Sequence, residues 1–478
     1  MTETTFTLSR AEAFIAEQTA GVDQSFKPGA HFSAPIGWLN DPNGFFFFRG
    51  EYHLFYQFYP YDSCWGPMHW GHAKSKDLIN WEHLPVALAP DQSYDHNGCF
   101  SGSAIVKDDR LWLMYTGNIT LEDGTGRQVQ NMAVSDDGVT FTKLASNPVM
   151  IGEDVPDINP ADFRDPKLFE KDGRYYSVLA AKHVDEVGCI VLLGSDDLEN
   201  WSFESIFLKG EKDQGVMWEC PDYFKLAGQD CLVISPMQFP VVGDDYQNLN
   251  SNIICYGLVD WESKTFAVER IEEIDHGHDF YAAQSLKDNQ GRRIMIAWMQ
   301  NWGRKFPTHD LRHGWAGLMT VPRQLQLVDG KLVQVPFLTE GSSDWTSLQA
   351  GEHLESSKPW PIRLDLKTGL SQHWRLEAGS VADQLVLVWQ DGQLTLDRTG
   401  LEHQLGGEEK EPLLTRSIRL TEGLIDVTVL IDRSSIEVFV NGGQASLSST
   451  AYIAEHLLSF SVAEGQVEVA LQNLNEIR

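Results

Sequence analysis

Three acids stand at matching distances ahead of glycines that open strand-like runs. Asp41 lies nine residues before Gly50, Asp165 eight before Gly173, and Glu219 nine before Gly228. The same offset in two further runs, which open at Asp109 and Gly291, falls on Ser101 and close to Asp279, Phe280 and Tyr281. Carboxylates brought together repel one another and are costly to strip of water, so a fold gathers them to serve a cation or a reaction. Cleavage of a glycosidic bond needs one carboxylate and one carboxylic acid beside the bond, and neighbouring negative charge raises the pKa of whichever group keeps its proton. Asp-Pro and Asp-Pro-Asn-Gly are also common turn sequences, which is the plainer reading of any one of these acids taken singly.

What could bring them together is a repeat. SKDLINW begins at Ser75, SDDGVTF at Ser135 and SDDLENW at Ser195, with Trp261 of VDW one step further on, a period of sixty residues. Interleaved with it, five turns lead into strand-like runs at Gly50, Asp109, Gly173, Gly228 and Gly291. Short Val, Ile, Phe, Tyr and Trp runs separated by Gly, Asp and Asn turns indicate antiparallel β structure. Five such units in series predict a five-bladed β-propeller whose innermost strands point the acids at a common axis, the alternative being a long β-sandwich whose units are alike by accident. Past Arg323 the rhythm stops. The predicted division is a helical extension over residues 1–25, the propeller over 26–337, a linker over 338–352 and a C-terminal β-sandwich over 353–478, an all-β chain overall. The spacing of LSRAEAFIAEQTA predicts one short helix over residues 8–20.

Composition narrows the partners. With 478 residues, two folded domains are expected. A net charge of -31 disfavours nucleic acid and anionic membranes, which are bound through Lys and Arg. Six scattered Cys without a CxxC pair read as reduced thiols. The first twenty residues carry no basic start followed by an apolar run, and no stretch of 18 apolar residues follows, so a cytoplasmic location is expected. His69 with His72, and His276-Gly277-His278-Asp279, lack a ligand frame and read as structural, so no metal is expected. No GxGxxG or phosphate loop supports a nucleotide, and no cofactor is expected. Cys220 reads as surroundings for Glu219, not as a nucleophile.

HFSAPIGWLNDPNG (31–44), FRDP (163–166) and WECPD (218–222), in that order and spacing, closely resemble the signature segments of glycoside hydrolase family 32, the β-fructofuranosidases. FSGS (100–103), DFYAAQ (279–284), GLMTVPRQL (317–325) and IDRSSIEVFVNGG (431–443) extend the resemblance over nearly the whole chain from about residue 26. It implies that Asp41 is a nucleophile forming a fructosyl-enzyme, that Glu219 is the general acid and then base, and that Asp165, with Arg164 beside it, stabilises the transition state. Retention of configuration would follow, with the two working carboxyls roughly 5–5.5 Å apart. Substrate contacts are expected from Trp38, Leu39, Asn40, Gln57, Trp65, Phe100, Ser101, Arg164, Tyr281 and Trp298. The implied substrate is a small sugar with a terminal non-reducing β-D-fructofuranoside, sucrose or sucrose 6-phosphate first. A fructan hydrolase, a fructosyltransferase or a non-catalytic sugar-binding protein are the alternatives, and the state of assembly is left between monomer and homodimer.

Overall fold

The computed structural model describes residues 6–407, 413–420 and 426–476. The leading helix is Leu8–Gln18, and Thr7 caps it by accepting the Arg10 N–H. Almost everything else is strand. Among the described residues there are seven sheets, five of them within residues 37–336 and two of six strands after that.

Each of the five earlier sheets begins with a strand that contains a run of buried residues. These strands are Gly37–Phe48, Cys99–Lys107, Ile158–Lys171, Met217–Leu226 and Tyr281–Lys287. Each packs against the next, and the last returns to the first. The circuit is reinforced where Trp315 and Ala316 pair in parallel with Gly37 and Trp38, adding a late strand to the first sheet. Gly317 permits this approach: a Cβ there would lie 1.9 Å from the Leu39 carbonyl oxygen.

Both sequence series are turns of these sheets. Gly50, Gly173, Gly228 and Gly291 have positive φ and, with Arg49, Asp172 and Ala227 also left-handed, make tight first hairpins. The sixty-residue motif is the hairpin between third and fourth strands. In it Ser75, Ser135 and Ser195 Oγ accept from Leu78, Gly138 and Leu198 N–H at 2.8–2.9 Å, while Asp77, Asp137 and Asp197 accept the next backbone donors. One side-chain solution to one turn therefore explains the period.

The two six-stranded sheets begin inside the stretch predicted as linker, because Thr346–Gln349 already pairs with Gln466–Asn473. A buried ionic seam fastens them to the earlier sheets. Arg323 bridges Asp275 at 2.9 Å and Glu437 at 2.6 Å, and Arg398 meets Asp279 at 2.8 Å. His31 lies between Asp432 at 2.9 Å and Glu437 at 3.0 Å. Burial opposes its charge, but bonds to both carboxylates prevail and raise its pKa to about 9, so it is a cation at neutral pH. Removing one member of such a set leaves buried charge uncompensated. Arg323→Ala is expected to lower unfolding free energy by about 3 kcal/mol, checked by denaturant melts; an unchanged midpoint would show the seam to be stability-neutral.

Candidate active site

Every one of the five innermost strands carries a register shift at the same level: Leu39 to Pro42, Phe100 to Gly102, Arg164 to Lys167, Glu219 to Asp222, and Tyr281 to Gln284. A bulge re-aims side chains out of the regular alternation. Proline, having no N–H for the ladder, is tolerated there, and Pro42, Pro166 and Pro221 occupy three of the five. Asp165 and Cys220 take positive φ of 62° and 47° at these points, strain that fixes their direction.

The bulges surround an open cleft holding about 850 Å³ of empty space. It is lined by Asn40, Asp41, Gln57, Trp65, Phe100, Ser101, Gln128, Asp162, Arg164, Asp165, Glu219 and Trp302. The three acids of the sequence offset thus meet in one cavity. Ser101 Oγ donates to Asp41 Oδ2 at 2.7 Å, while the buried Oδ1 has no hydrogen-bond partner. Cys220 presents its N–H to Asp165 Oδ2 at 3.1 Å and its sulfur to Asp165 and Asp41 at 3.6 and 3.7 Å. Glu219 Oε1 accepts from Arg164 Nη2 at 2.9 Å and Nε at 3.1 Å; its Oε2 accepts from the Tyr281 hydroxyl at 2.6 Å. Arg164 also meets Asp162 at 3.1 Å and Gln128 at 3.3 Å, so four of its five N–H donors are engaged by these acceptors.

Burial, with the charge of Glu219 adding to it, raises Asp41 to about 6 against the polar groups of Ser101, Asn40 and Cys220. Asp165 is also raised, by burial first and then by Glu219 and Asp41, in spite of Arg164. If Asp41 must be ionised to work, activity falls as pH drops through about 6. Ser101→Ala removes a donor that favours the ionised form, so the acid limb of kcat/KM is expected to climb by about one unit. A pH profile checks this, and an unmoved limb would separate Ser101 from the ionisation.

Of the expected contact residues, Asn40, Gln57, Trp65, Phe100, Ser101 and Arg164 line the cleft, and Trp65 is 47% exposed at its mouth. Trp38, Leu39, Tyr281 and Trp298 do not; they are buried behind it. Trp38 Nε1 donates to Asn40 Oδ1 at 2.8 Å, so it orients a lining residue. Trp298 backs Trp302, ring centroids 5.0 Å apart, and it is Trp302 that reaches the cavity. Gln128, Asp162 and Trp302 line the cleft without being among the residues expected from the sequence; the second Trp in IAWMQNW is the available signal for the last. Asp279 points away from the cleft into the ionic seam, paired with Arg304 and Arg398.

Among the described residues, Asp245, Glu273 and His276 alone cluster closely enough to hold a metal ion, and none of the three lines the cleft. Glu273 is already paired with Arg416 at 3.0 Å and accepts the Tyr246 N–H at 3.0 Å. Burial disfavours charge on His276, yet Asp245 and Glu273 raise it to about 9. The stretch reads as part of the seam. No helix among the described residues is long and apolar enough to cross a membrane.

The family model for the glycosyl hydrolases family 32 N-terminal domain matches residues 31–336, and that for the family 32 C terminal matches residues 362–475. A sucrose-6-phosphate hydrolase of Zymomonas mobilis is 37% identical over 90% of this chain and 87% of its own length. A raffinose invertase of Escherichia coli is 35% identical over 93% of each. Among solved structures, a β-fructofuranosidase of Bombyx mori in complex with sucrose superposes with a TM-score of 0.87, 33% identity and coverage of 98% of this chain and 97% of that one. A sucrose-6-phosphate hydrolase from Lactobacillus gasseri gives 0.88 at 27% identity, covering 97% and 96%. Models spanning both the cleft strands and the sheets that brace them make this chain a member of glycosyl hydrolase family 32.

Proposed function

We propose that the protein releases fructose from sucrose or sucrose 6-phosphate by a retaining double displacement, on a five-bladed propeller (about residues 26–337) braced by a β-sandwich. The observation that carries this reading is a carboxylate with one oxygen pinned and the other free, beside a second acid held by Arg164 and Tyr281. Asp41 Oδ1 attacks the anomeric carbon of the fructosyl unit as its bond to the leaving oxygen breaks. Glu219 gives that oxygen its proton, later takes one from water, and the resulting hydroxide releases fructose and restores Asp41. Asp165 and Arg164 fix hydroxyls around the oxocarbenium-like centre, and Trp65, Phe100 and Trp302 offer flat apolar surface to the sugar faces.

The test is a comparison of initial rates on sucrose, sucrose 6-phosphate, raffinose and inulin, with the anomeric form of the first-released fructose read by NMR. Fast release from the first two with β-fructose formed first is the expected result. Preference for inulin would favour a fructan hydrolase, and first-formed α-fructose would rule out the double displacement. Absence of glucose release, with binding retained, would favour a sugar-binding protein.

A further inference from the structure

The pairing of first and second strands places five connecting loops at the cleft end of the molecule, because Trp38 pairs with Tyr59, Cys99 with Gly117, Ile158 with His183, Met217 with Met237 and Tyr281 with Trp298. Four of these loops carry acids and neither Lys nor Arg: Asp62 in 60–68, Glu122 and Asp123 in 121–125, Asp185 and Glu186 in 184–187, Asp244 and Asp245 in 238–252. The fifth, 299–314, is the exception. It holds Arg304, Lys305, Arg312, His309 and His313 against Asp310 alone, in a chain of net charge -31.

This basic segment is also fastened to the cleft. Trp302 lines the cavity and stacks on Trp38 at 6.3 Å, and Phe306 packs on Trp38 at 4.5 Å. His309 Nδ1 and Ser63 Oγ lie 2.8 Å apart, tying the segment to the loop that bears Trp65. Arg304 is buried and committed to Asp279 and Asn248. Lys305, between the two anchored aromatics, is exposed and forms no ion pair or hydrogen bond with the described residues.

We infer that Lys305 is a specificity-determining residue that reads a phosphate monoester on the leaving hexose; this rests on the function proposed above. A phosphate carries a charge of about -1.5 to -2 at neutral pH and needs a cation near it. The cleft floor cannot supply one. Its single guanidinium, Arg164, is spent on Glu219 and Asp162, and Asp41, Asp165 and Glu219 would repel a further anion. The fructosyl unit must occupy that floor for Asp41 to reach it, which turns the leaving hexose toward the rim. Along that rim, the 299–314 segment carries the basic excess.

The experiment measures kcat/KM on sucrose 6-phosphate and on sucrose for the wild type, Lys305→Ala and Lys305→Glu, at low and at 0.5 M salt (~4 Å Debye length). The ratio of phosphorylated to plain substrate is expected to fall about fivefold in the Ala variant and further in the Glu variant, with the difference shrinking in high salt. A ratio unchanged within about twofold in both variants, or one that falls equally at both salt concentrations, would overturn the inference. Hydrolysis of neither substrate by the wild type would instead overturn the functional reading beneath it. Unaltered melting curves confirm that the variants fold, as befits an exposed side chain.

Discussion

Asp41→Asn is expected to lower kcat by on the order of 10⁴-fold while leaving the fold intact. The amide has the shape of the carboxyl and can still accept from Ser101 Oγ through its oxygen. It therefore keeps the bulge between Leu39 and Pro42 filled. What it lacks is a charged oxygen able to bond to the anomeric carbon. Removing a buried carboxylate raised by desolvation also relieves repulsion with Glu219 and Asp165, so the variant should melt no lower than the wild type. Sucrose binding, followed by calorimetry, should persist. Near-normal turnover would remove Asp41 from the nucleophile's place, and loss of binding together with turnover would make it a contact residue instead.

The offset that joined these acids in the sequence was right about the cavity and one register out about the equivalence. Asp41, Asp165 and Cys220 are the residues that precede Pro42, Pro166 and Pro221, so they share a level; Glu219 shares its level with Arg164 and Tyr281. Counting back from the hairpin glycine missed this because a bulge adds a residue without changing composition. Proline was the legible marker, since it can stand in an inner strand only where the ladder is already broken. The turns were readable for the opposite reason. Ser75, Ser135 and Ser195 each solve the same backbone problem with local hydrogen bonds, so the motif carries its own explanation.

Long-range packing left weaker traces. Asp279 lies near the offset in the fifth unit, yet it turns to Arg398 and Thr450 of the later sheets, partners more than a hundred residues away. Nothing near position 279 announces them. Trp298 and Trp302 are alike as residues, and only the edge-on packing of one behind the other decides which lines the cleft. The basic run at 304–313 was visible throughout as a string of letters. It gains meaning only when the pairing registers put it at the same end of the molecule as four loops that carry acids and neither Lys nor Arg.

Glu219→Gln is expected to cost on the order of 10³-fold in kcat on sucrose and far less on β-fructofuranosyl fluoride. The difference lies in the leaving group: a sugar alkoxide must be protonated as it departs, whereas fluoride departs as a stable anion. The glutamine oxygen can still accept from Arg164, and its NH₂ can face the Tyr281 oxygen, whose hydroxyl then donates to the Ser235 carbonyl 3.1 Å away. Position is thereby kept while proton delivery is lost, so KM should move little. With the fluoride, the fructosyl-enzyme should form rapidly and then accumulate, because the same side chain must later take a proton from water. A small anion such as azide, needing no such help, should restore turnover and leave as a β-fructosyl azide. Equal losses on sucrose and the fluoride, with no rescue, would mean that Glu219 holds Arg164 and Tyr281 in place and that the proton comes from another group in the cleft.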